Sequence, residues 1–271
     1  MCKSFQNPHL KLSALRGYVH SCLHIENLNN KEELKKCICD ENKVKEEQIP
    51  LGSSKIGGLP DLPEDWEFPS YNNRSLSFLG QFNLKEIKPY NAENNLPISE
   101  ILYIFYDVVE QPWGFEEDEG CFKVLYFEGD EKELKRTEYP EETEDYFPLP
   151  VFKVTFTNKL TLPEYPEDME FSDEDEENYS EMRHELIQPS DEKGNYEPAH
   201  YMLGYPFSIQ NDVFDEFDLK PEEAVLLLQI DSDEEDLKLL WGDSGIIYFC
   251  IDKTSLANKQ FDKVQFTLQC F

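Results

Sequence analysis

Short runs of apolar residues alternate along this chain with polar segments rich in proline and glycine. From about Ile49 onwards, the apolar runs have the length and the β-branched or aromatic content of strands. Seven of them predict strands: Leu76–Phe82, Ile101–Asp107, Cys121–Phe127, Val151–Phe156, Val225–Ile230, Gly245–Ile251 and Val264–Cys270. In the run Ile101–Asp107 both alternating sets of side chains are apolar, so we expect this strand to be buried on both faces.

The first 48 residues have a different pattern. Apolar side chains recur near the helical period, at Leu10, Leu12, Leu15, Val19, Leu23 and Leu28. Residues 31–36 are polar and predict a second helix. We therefore predict a helical lead-in over residues 1–48, followed by a strand-rich domain over residues 49–271.

Three sequence blocks occur twice in the same order, which indicates an internal duplication. They are a Gly-x-Pro turn, an apolar run that reaches a glutamine, and an apolar strand with tyrosine that ends in aspartate. The first copies contain Gly58, Gln81 and Asp107, and the second copies contain Gly204, Gln229 and Asp252. The intervals agree closely, with 23 and 26 positions in the first copy against 25 and 23 in the second.

The predicted fold class is therefore α+β: strand-rich and internally duplicated, with two similar β-rich halves packed about a pseudo-twofold axis. Repeat one covers about residues 49–160, an acidic insertion about 161–195, and repeat two about 196–271. A cleft between two such halves is the place where a binding site is expected.

Charge is the strongest compositional feature, because the chain has 57 acidic and 25 basic residues and therefore a net charge of -32. Residues 110–177 alone hold 23 acidic and six basic residues, a net of -17. The densest stretch, within residues 164–177, predicts a solvated loop or a partly disordered insertion. Such a field repels nucleic acid and anionic membranes and attracts a basic protein, although it also serves solubility alone.

Several of these blocks resemble the signature motifs of the YwqG-like family. The resemblance rests on residues 53–69 (SSKIGGLPDLPEDWEFP), 76–84 (LSFLGQFNL), 200–210 (HYMLGYPFSIQ) and 226–233, followed by Trp241-Gly242-Asp243-Ser244-Gly245. It runs from about Ile49 to the C-terminus. It implies a mixed α+β fold rich in strands, and no reaction, because the family has no assigned activity.

Five residues are candidate ligand-binding residues for the cleft between the repeats: Gln81, His200, Gln229, Trp241 and Asp243. A glutamine on an apolar strand needs partners for its amide, which are either a ligand or the neighbouring Gly-Pro loop. His200 precedes the second Gly-Pro turn, and acting as a general base would require a carboxylate to orient it. Trp241 is either a wall of the cleft or part of the core.

Other motifs fail on their context. The sequence Gly242-Asp243-Ser244-Gly245 spells a serine-protease tetrad, but no histidine block accompanies it, and it predicts a turn that enters a strand. The carboxylates from Asp231 to Asp236 lack the glycine and glutamate of a calcium loop. Cys37 and Cys39 are too close together for the usual zinc spacing. We predict no catalytic residue, no metal and no cofactor.

Three functional hypotheses remain open, and one of them is a purely structural scaffold, which nothing in the sequence excludes. The first is a binding protein, in one version an immunity-like partner that masks a basic protein with its acidic insertion. The alternative is an enzyme or small-ligand receptor that uses the cleft. The seven cysteines are expected to be reduced, and the chain shows no signal peptide or membrane-spanning run, so we expect a cytoplasmic protein.

Overall fold

The computed structural model describes residues 20–27, 46–91, 96–140, 147–164, 166, 171–190, 194 and 196–271. The strands, numbered in chain order, are β1 (His20–Asn27), β2 (Lys55–Ile56), β3 (Asp61–Pro63), β4 (Ser70–Tyr71), β5 (Arg74–Ser75), β6 (Ser77–Asn83), β7 (Ile101–Tyr106), β8 (Phe122–Phe127), β9 (Leu134–Arg136), β10 (Phe152–Thr161), β11 (Tyr201–Met202), β12 (Ala224–Asp231), β13 (Ile246–Asp252) and β14 (Gln265–Gln269). The α-helices are α1 (Leu84–Ile87), α2 (Asp173–Ile187), α3 (Val213–Glu216) and α4 (Lys253–Ala257). Short 3₁₀ turns occupy Glu46–Gln48, Lys88–Tyr90, Glu116–Asp118, Glu131–Glu133 and Phe261–Lys263.

All seven predicted strands are confirmed. Six of them agree with the prediction to within one residue at each end, and β10 continues to Thr161. Every residue of β7 is buried, as the double-sided apolar pattern predicted. Strand-rich α+β architecture is therefore what the described residues form, with four short or medium α-helices beside antiparallel sheets.

Ten strands form one sheet in the order β14-β13-β12-β11-β1-β10-β2-β6-β7-β8, and every pairing is antiparallel. The two ends of this order are alike. From each end come three strands that follow one another in the sequence (β14, β13, β12 or β8, β7, β6), then a two-residue strand (β11 or β2), and then a long strand (β1 or β10). We call β2, β6, β7, β8 and β10 the first half and β1, β11, β12, β13 and β14 the second half. The long strands β1 and β10 pair with each other at the centre of the sheet.

One face of this sheet encloses a single hydrophobic core. Buried side chains from nine of the ten strands belong to this core; for the tenth strand, β1, the structure describes the backbone alone. Because all of them converge, the sheet curls and brings its two terminal strands together. Phe122 of β8 lies 5.4 Å from Phe266 of β14, and Tyr106 of β7 lies 4.6 Å from the same ring, measured between ring centroids.

The outer face of each half is covered by the segment around its Gly-Pro turn. In the first half, the rings of Trp66 and Phe68 pack on Tyr103 and Phe105. In the second half, Phe207 and α3 belong to a separate cluster with Tyr248. The central strands of each half, β6 and β7 in the first and β12 and β13 in the second, are therefore buried on both faces.

The structure corrects the helical lead-in. Residues 20–27, which include the predicted helical position Leu23, form β1 and pair along their whole length with β10. A strand is favoured here because β1 fills the gap between β10 and β11, a contact distant in sequence that local periodicity does not register. The remaining predicted helical positions lie outside the described residues.

The structure also corrects the acidic insertion, because Asp173–Glu177 open a 15-residue helix, α2, instead of a loop. The Ser172 side chain caps the helix by accepting a hydrogen bond from the N–H of Asp175, and acidic side chains suit the positive end of a helix dipole. One face of the helix is buried through residues spaced four apart: Asp175, Tyr179, Arg183 and Ile187. That face escaped the sequence reading because only two of its residues are apolar.

Replacing Phe249 with alanine tests the shared core. Phe249 is fully buried and contacts the rings of Phe122 and Phe266 from both ends of the sheet. We expect Phe249→Ala to lower the free energy of unfolding by about 3–5 kcal/mol, measured by urea denaturation. Phe271→Ala is the control, because Phe271 is 83% exposed, and its effect should stay within about 0.5 kcal/mol. A small effect of Phe249→Ala would contradict a single continuous core.

Candidate functional site

Gln81 lies on the outer face of the first half, with its side chain fully buried. Its Oε1 accepts a hydrogen bond from the N–H of Asp61 at 2.9 Å. Its Nε2 donates to the carbonyl of Ser53 at 2.9 Å and to the Asp61 carboxylate at 2.8 Å. The amide therefore joins the two ends of the first Gly-Pro segment, which is the structural alternative for a glutamine on an apolar strand.

Gln229 makes the equivalent bonds in the second half and is also fully buried. Its Oε1 accepts from the N–H of Phe207 at 3.0 Å, and its Nε2 donates to the carbonyl of Ala199 at 3.0 Å. Both bonds close the second Gly-Pro segment. Gln81 and Gln229 therefore lie in separate halves, with β2, β10, β1 and β11 between their strands.

His200 has a carboxylate within reach, but both of its ring nitrogens face protein groups. Its Nδ1 accepts a hydrogen bond from the N–H of Asp231 at 3.2 Å, and its Nε2 lies 3.4 Å from the Asp233 carboxylate. With Nδ1 accepting, the proton sits on Nε2 and points to Asp233. No ring nitrogen is left to take a proton from a substrate in this arrangement.

The two acidic partners of His200 differ in their electrostatics. Burial raises the pKa of Asp231 above its ordinary value, although its carboxylate accepts bonds from the N–H of Ala199 and from Gln188. Burial acts on Asp233 in the same direction, but its contacts with His200 and with the N–H of Asp236 outweigh it and lower its pKa. Within the described residues, no group of three or more metal-binding side chains is placed to hold an ion.

Trp241 and Asp243 lie apart from the glutamines. Trp241 is fully buried in the core between the halves, with its ring 5.8 Å from that of Tyr106. Asp243 lies on an exposed turn that enters β13, as predicted, and its carbonyl accepts a hydrogen bond from the N–H of Phe271 at 3.4 Å. The five candidates do not converge on one site: His200 and Gln229 are neighbours, Trp241 and Asp243 share the turn before β13, and Gln81 lies in the other half. Their role in ligand binding stays a prediction.

Sequence reasoning missed a buried cluster of charges in the first half. Lys55 and Asp61 are both fully buried and form an ion pair of 3.2 Å. Arg136 donates to the same carboxylate at 2.9 Å, and Glu46 lies 3.4 Å from the Lys55 ammonium. The Lys55 ammonium also donates to the carbonyl of Leu59. Lys55 stands in the turn motif as an ordinary polar residue, so no spacing signalled this cluster.

The cluster sets the protonation of its members. Burial alone raises the pKa of Asp61, but the Lys55 charge and the hydrogen bonds from Arg136 and the N–H of Gly52 outweigh it, so this pKa lies below its ordinary value. Burial lowers the pKa of Lys55, and the charge of Asp61 offsets this lowering only in part. All three donors of the ammonium face acceptors, so the cluster locks the first Gly-Pro segment and offers no free group to a ligand.

A cleft of about 1090 Å³ lies where the two ends of the curled sheet meet. We call it the seam cleft; its walls come from the β7–β8 segment 113–125, from residues 261–267 before and within β14, and from residues 67–70 and 216–217. Six acidic side chains and one basic one line it: Glu67, Glu116, Asp118, Glu119, Glu216, Asp262 and Lys123. Trp113 and Phe115, which are 39% and 60% exposed, stand at its edge.

Hydrogen bonds within the segment 113–118, which we call the aromatic loop, and across the seam hold this loop in place. The Asp118 carboxylate accepts from the N–H groups of Gly114 and Phe115, both at 3.1 Å. The carbonyl of Trp113 accepts from the N–H of Leu268 in β14 at 3.2 Å. Burial, followed by the charges of two aspartates, raises the pKa of the Cys121 thiol in the cleft to about 12, so it is protonated at neutral pH and is not an activated nucleophile.

Together these features define a strand-rich α+β domain with closed loop networks and an acidic cleft at the seam of its sheet. The profile of a family described as a domain of unknown function, DUF1963, matches residues 54–270, and the chain belongs to this family. An uncharacterised family is what the motif resemblance implied, and the narrower YwqG-like name stays a prediction. A comparison with curated proteins finds no match. Among the described residues, no helix has the length and apolarity needed to cross a membrane.

The buried charge cluster predicts a specific pH dependence. Replacing Asp61 with asparagine leaves Lys55 and Arg136 without their shared carboxylate, and we expect a loss of about 3–5 kcal/mol in the free energy of unfolding at pH 7. Because the folded pKa of Asp61 is lowered, its contribution is present above its unfolded pKa of about 3.9 and is lost as the pH falls through the lower folded value. The difference between wild type and Asp61→Asn, measured by urea denaturation, should therefore shrink below about pH 4.

The matched control is Asp243→Asn, which removes an exposed carboxylate and should change stability by less than about 0.5 kcal/mol at every pH. A pH-independent difference between wild type and Asp61→Asn would show that the ion pairs do not hold the first Gly-Pro segment.

Proposed function

We propose that this protein is a binding protein whose seam cleft takes up a basic segment of another protein. The observation that carries the proposal is the lining of the cleft, in which six carboxylates surround one lysine beside two exposed aromatic rings. Lysine and arginine side chains match both features, because they pair with carboxylates and lie over aromatic faces. The net charge of -32 adds long-range attraction for a basic partner.

The seam cleft suits such a partner better than the helix α2 does. The acidic side chains at the start of α2 lie beside its own dipole and its serine cap, which already stabilise them. The cleft adds apolar surface to its charges, and tryptophan is enriched among the few residues that dominate the binding energy of protein interfaces. We therefore place the partner in the cleft and use α2 as the comparison.

We also propose that the two halves are copies of one ancestral unit. Gln81 and Gln229 bond to equivalent backbone positions, and the hydroxyls of Tyr103 and Tyr248 each donate at 2.7 Å to the carbonyl of the residue whose N–H the glutamine binds. The backbone is left-handed at Gly57 and Gly58 and at Leu203 and Gly204, where φ lies between 64° and 73°. Each half also has a register shift, next to Gly80 in β6 and next to Leu228 in β12.

The cytoplasm is the location that we propose. Cys121, Cys250 and Cys270 are buried free thiols. Unpaired cysteines suit a reducing compartment. Fractionation of cells that express the full chain tests this assignment directly.

Removing charge from the cleft tests the proposed function. The probe is a synthetic peptide in which lysine and valine alternate, and its affinity for the full-length protein is measured by isothermal titration calorimetry. We expect the double variant Glu116→Gln/Glu119→Gln to weaken binding by about fivefold or more, because both carboxylates are exposed in the cleft wall. Added salt should weaken wild-type binding progressively.

The control is Glu176→Gln/Glu177→Gln in α2, which removes the same charge from exposed positions outside the cleft. Its affinity should stay within about twofold of wild type. Equal losses in both variants would mean that only the overall charge matters, and a larger loss in the α2 variant would move the site to the helix. No binding of the peptide at low salt would count against the proposed function itself.

A further inference from the structure

The strand β8 ends the ten-stranded sheet and has a free backbone edge. In the described part of the chain, its backbone hydrogen bonds join it only to β7. The N–H of Asp107 donates to the carbonyl of Cys121 at 2.9 Å, directly before the register pair of Tyr106 with Phe122. Hydrogen-bonded and non-bonded pairs alternate in an antiparallel ladder, so Lys123 and Leu125 bond to β7, and Phe122 and Val124 direct their N–H and C=O groups away from it.

The opposite edge, that of β14, is covered by the aromatic loop. The carbonyl of Trp113 accepts a hydrogen bond from the N–H of Leu268. Gly114 lies so close to β14 that a Cβ atom built on it would be 2.3 Å from the carbonyl oxygen of Phe266. The φ of Gly114 is +92°, a conformation that glycine adopts readily. Of the two strand edges at the seam, β8 therefore has the one that is open to a ligand.

The chemistry of the cleft defines what pairs with β8. Unpaired strand edges accept additional strands, either from a second copy or from a different chain. A second copy also carries a charge of -32 and the same Lys123, so charge repulsion opposes pairing between copies. A basic segment meets six carboxylates instead.

The two faces of the cleft also specify a side-chain pattern. A strand laid beside β8 continues its pleat, so alternate side chains point to opposite faces. One set meets the aromatic side of the seam, where Phe122 and Phe266 lie 5.4 Å apart. The other set points to the opposite face, on the side of Lys123, and the lining of the cleft also includes Gln265 and six carboxylates. An extended segment with alternating apolar and basic residues fits both faces.

We propose that the basic partner segment binds by β-strand addition to the free edge of β8, an inference that rests on the proposed function. Its apolar residues then face the side of Phe122 and Phe266, and its basic residues face the opposite side and the carboxylates of the cleft. The bound segment becomes an eleventh strand and fills the gap between the two ends of the curled sheet. Main-chain bonds then supply affinity, and the alternation supplies selectivity.

Amide hydrogen exchange tests the pairing. NMR measures the exchange rates of the full-length protein without the alternating lysine–valine peptide and with it. We expect the amides of Phe122 and Val124 to exchange in the saturated complex at about a tenth of their rate in the free protein, or more slowly still. The amides of Lys123 and Leu125 are internal controls, because β7 protects them in both states. Binding without slower exchange at Phe122 and Val124 would overturn strand addition.

Backbone methylation of the peptide gives an independent answer. Successive amides of a strand point to opposite edges, so methylating all valine amides blocks one edge and methylating all lysine amides blocks the other. We expect one methylated peptide to lose about tenfold or more in affinity, and the other to bind like the parent. If the parent binds in a salt-dependent way and both methylated peptides bind equally well, strand addition is wrong and the proposed function stands. If the parent does not bind at low salt, the proposed function fails and strand addition fails with it.

Discussion

The curl of one ten-stranded sheet around a single core is the constraint on which the rest of this structure depends. Nine strands place apolar side chains on the same face, and these can leave water together only if the sheet bends until its ends meet. The rings of Phe122, Phe249 and Phe266 mark this meeting point. The bend buries the inner face and leaves each outer face in need of its own cover.

That second need explains the polar groups buried on the outer faces. A loop that covers apolar strands brings backbone N–H and C=O groups out of water, and each requires a partner. Gln81 and Gln229 supply these partners from the middle of β6 and β12, and in the first half Lys55, Asp61 and Arg136 add ion pairs. Much of the buried polar chemistry therefore serves the loops. The seam differs, because the outer edge of β8 has no backbone partner among the described residues.

The candidate site shows how far residue types alone identify a function. The sequence singled out Gln81 and Gln229 correctly as buried polar residues with a common environment, and left open whether a loop or a ligand satisfies them. Lys55 and Arg136 are 81 positions apart in the chain and gave no signal, although a fully buried lysine is rare in proteins. The seam cleft escaped prediction because its walls, residues 113–125 and 261–267, are adjacent only after the sheet has curled.

The sequence by itself determined the seven main strands, the burial of β7 on both faces and the acidic character of the surface, because alternation and composition are local properties of a chain. It misread residues 20–27, where pairing with β10 overrides a helical period, and residues 173–177, where a serine cap and a helix dipole accommodate a run of acids. Only the tertiary structure decided which strands lie at the ends of the sheet, which edge remains free and which charges meet at the seam. These outcomes depend on contacts between segments far apart in sequence, which form only once the shared core has fixed the curvature of the sheet.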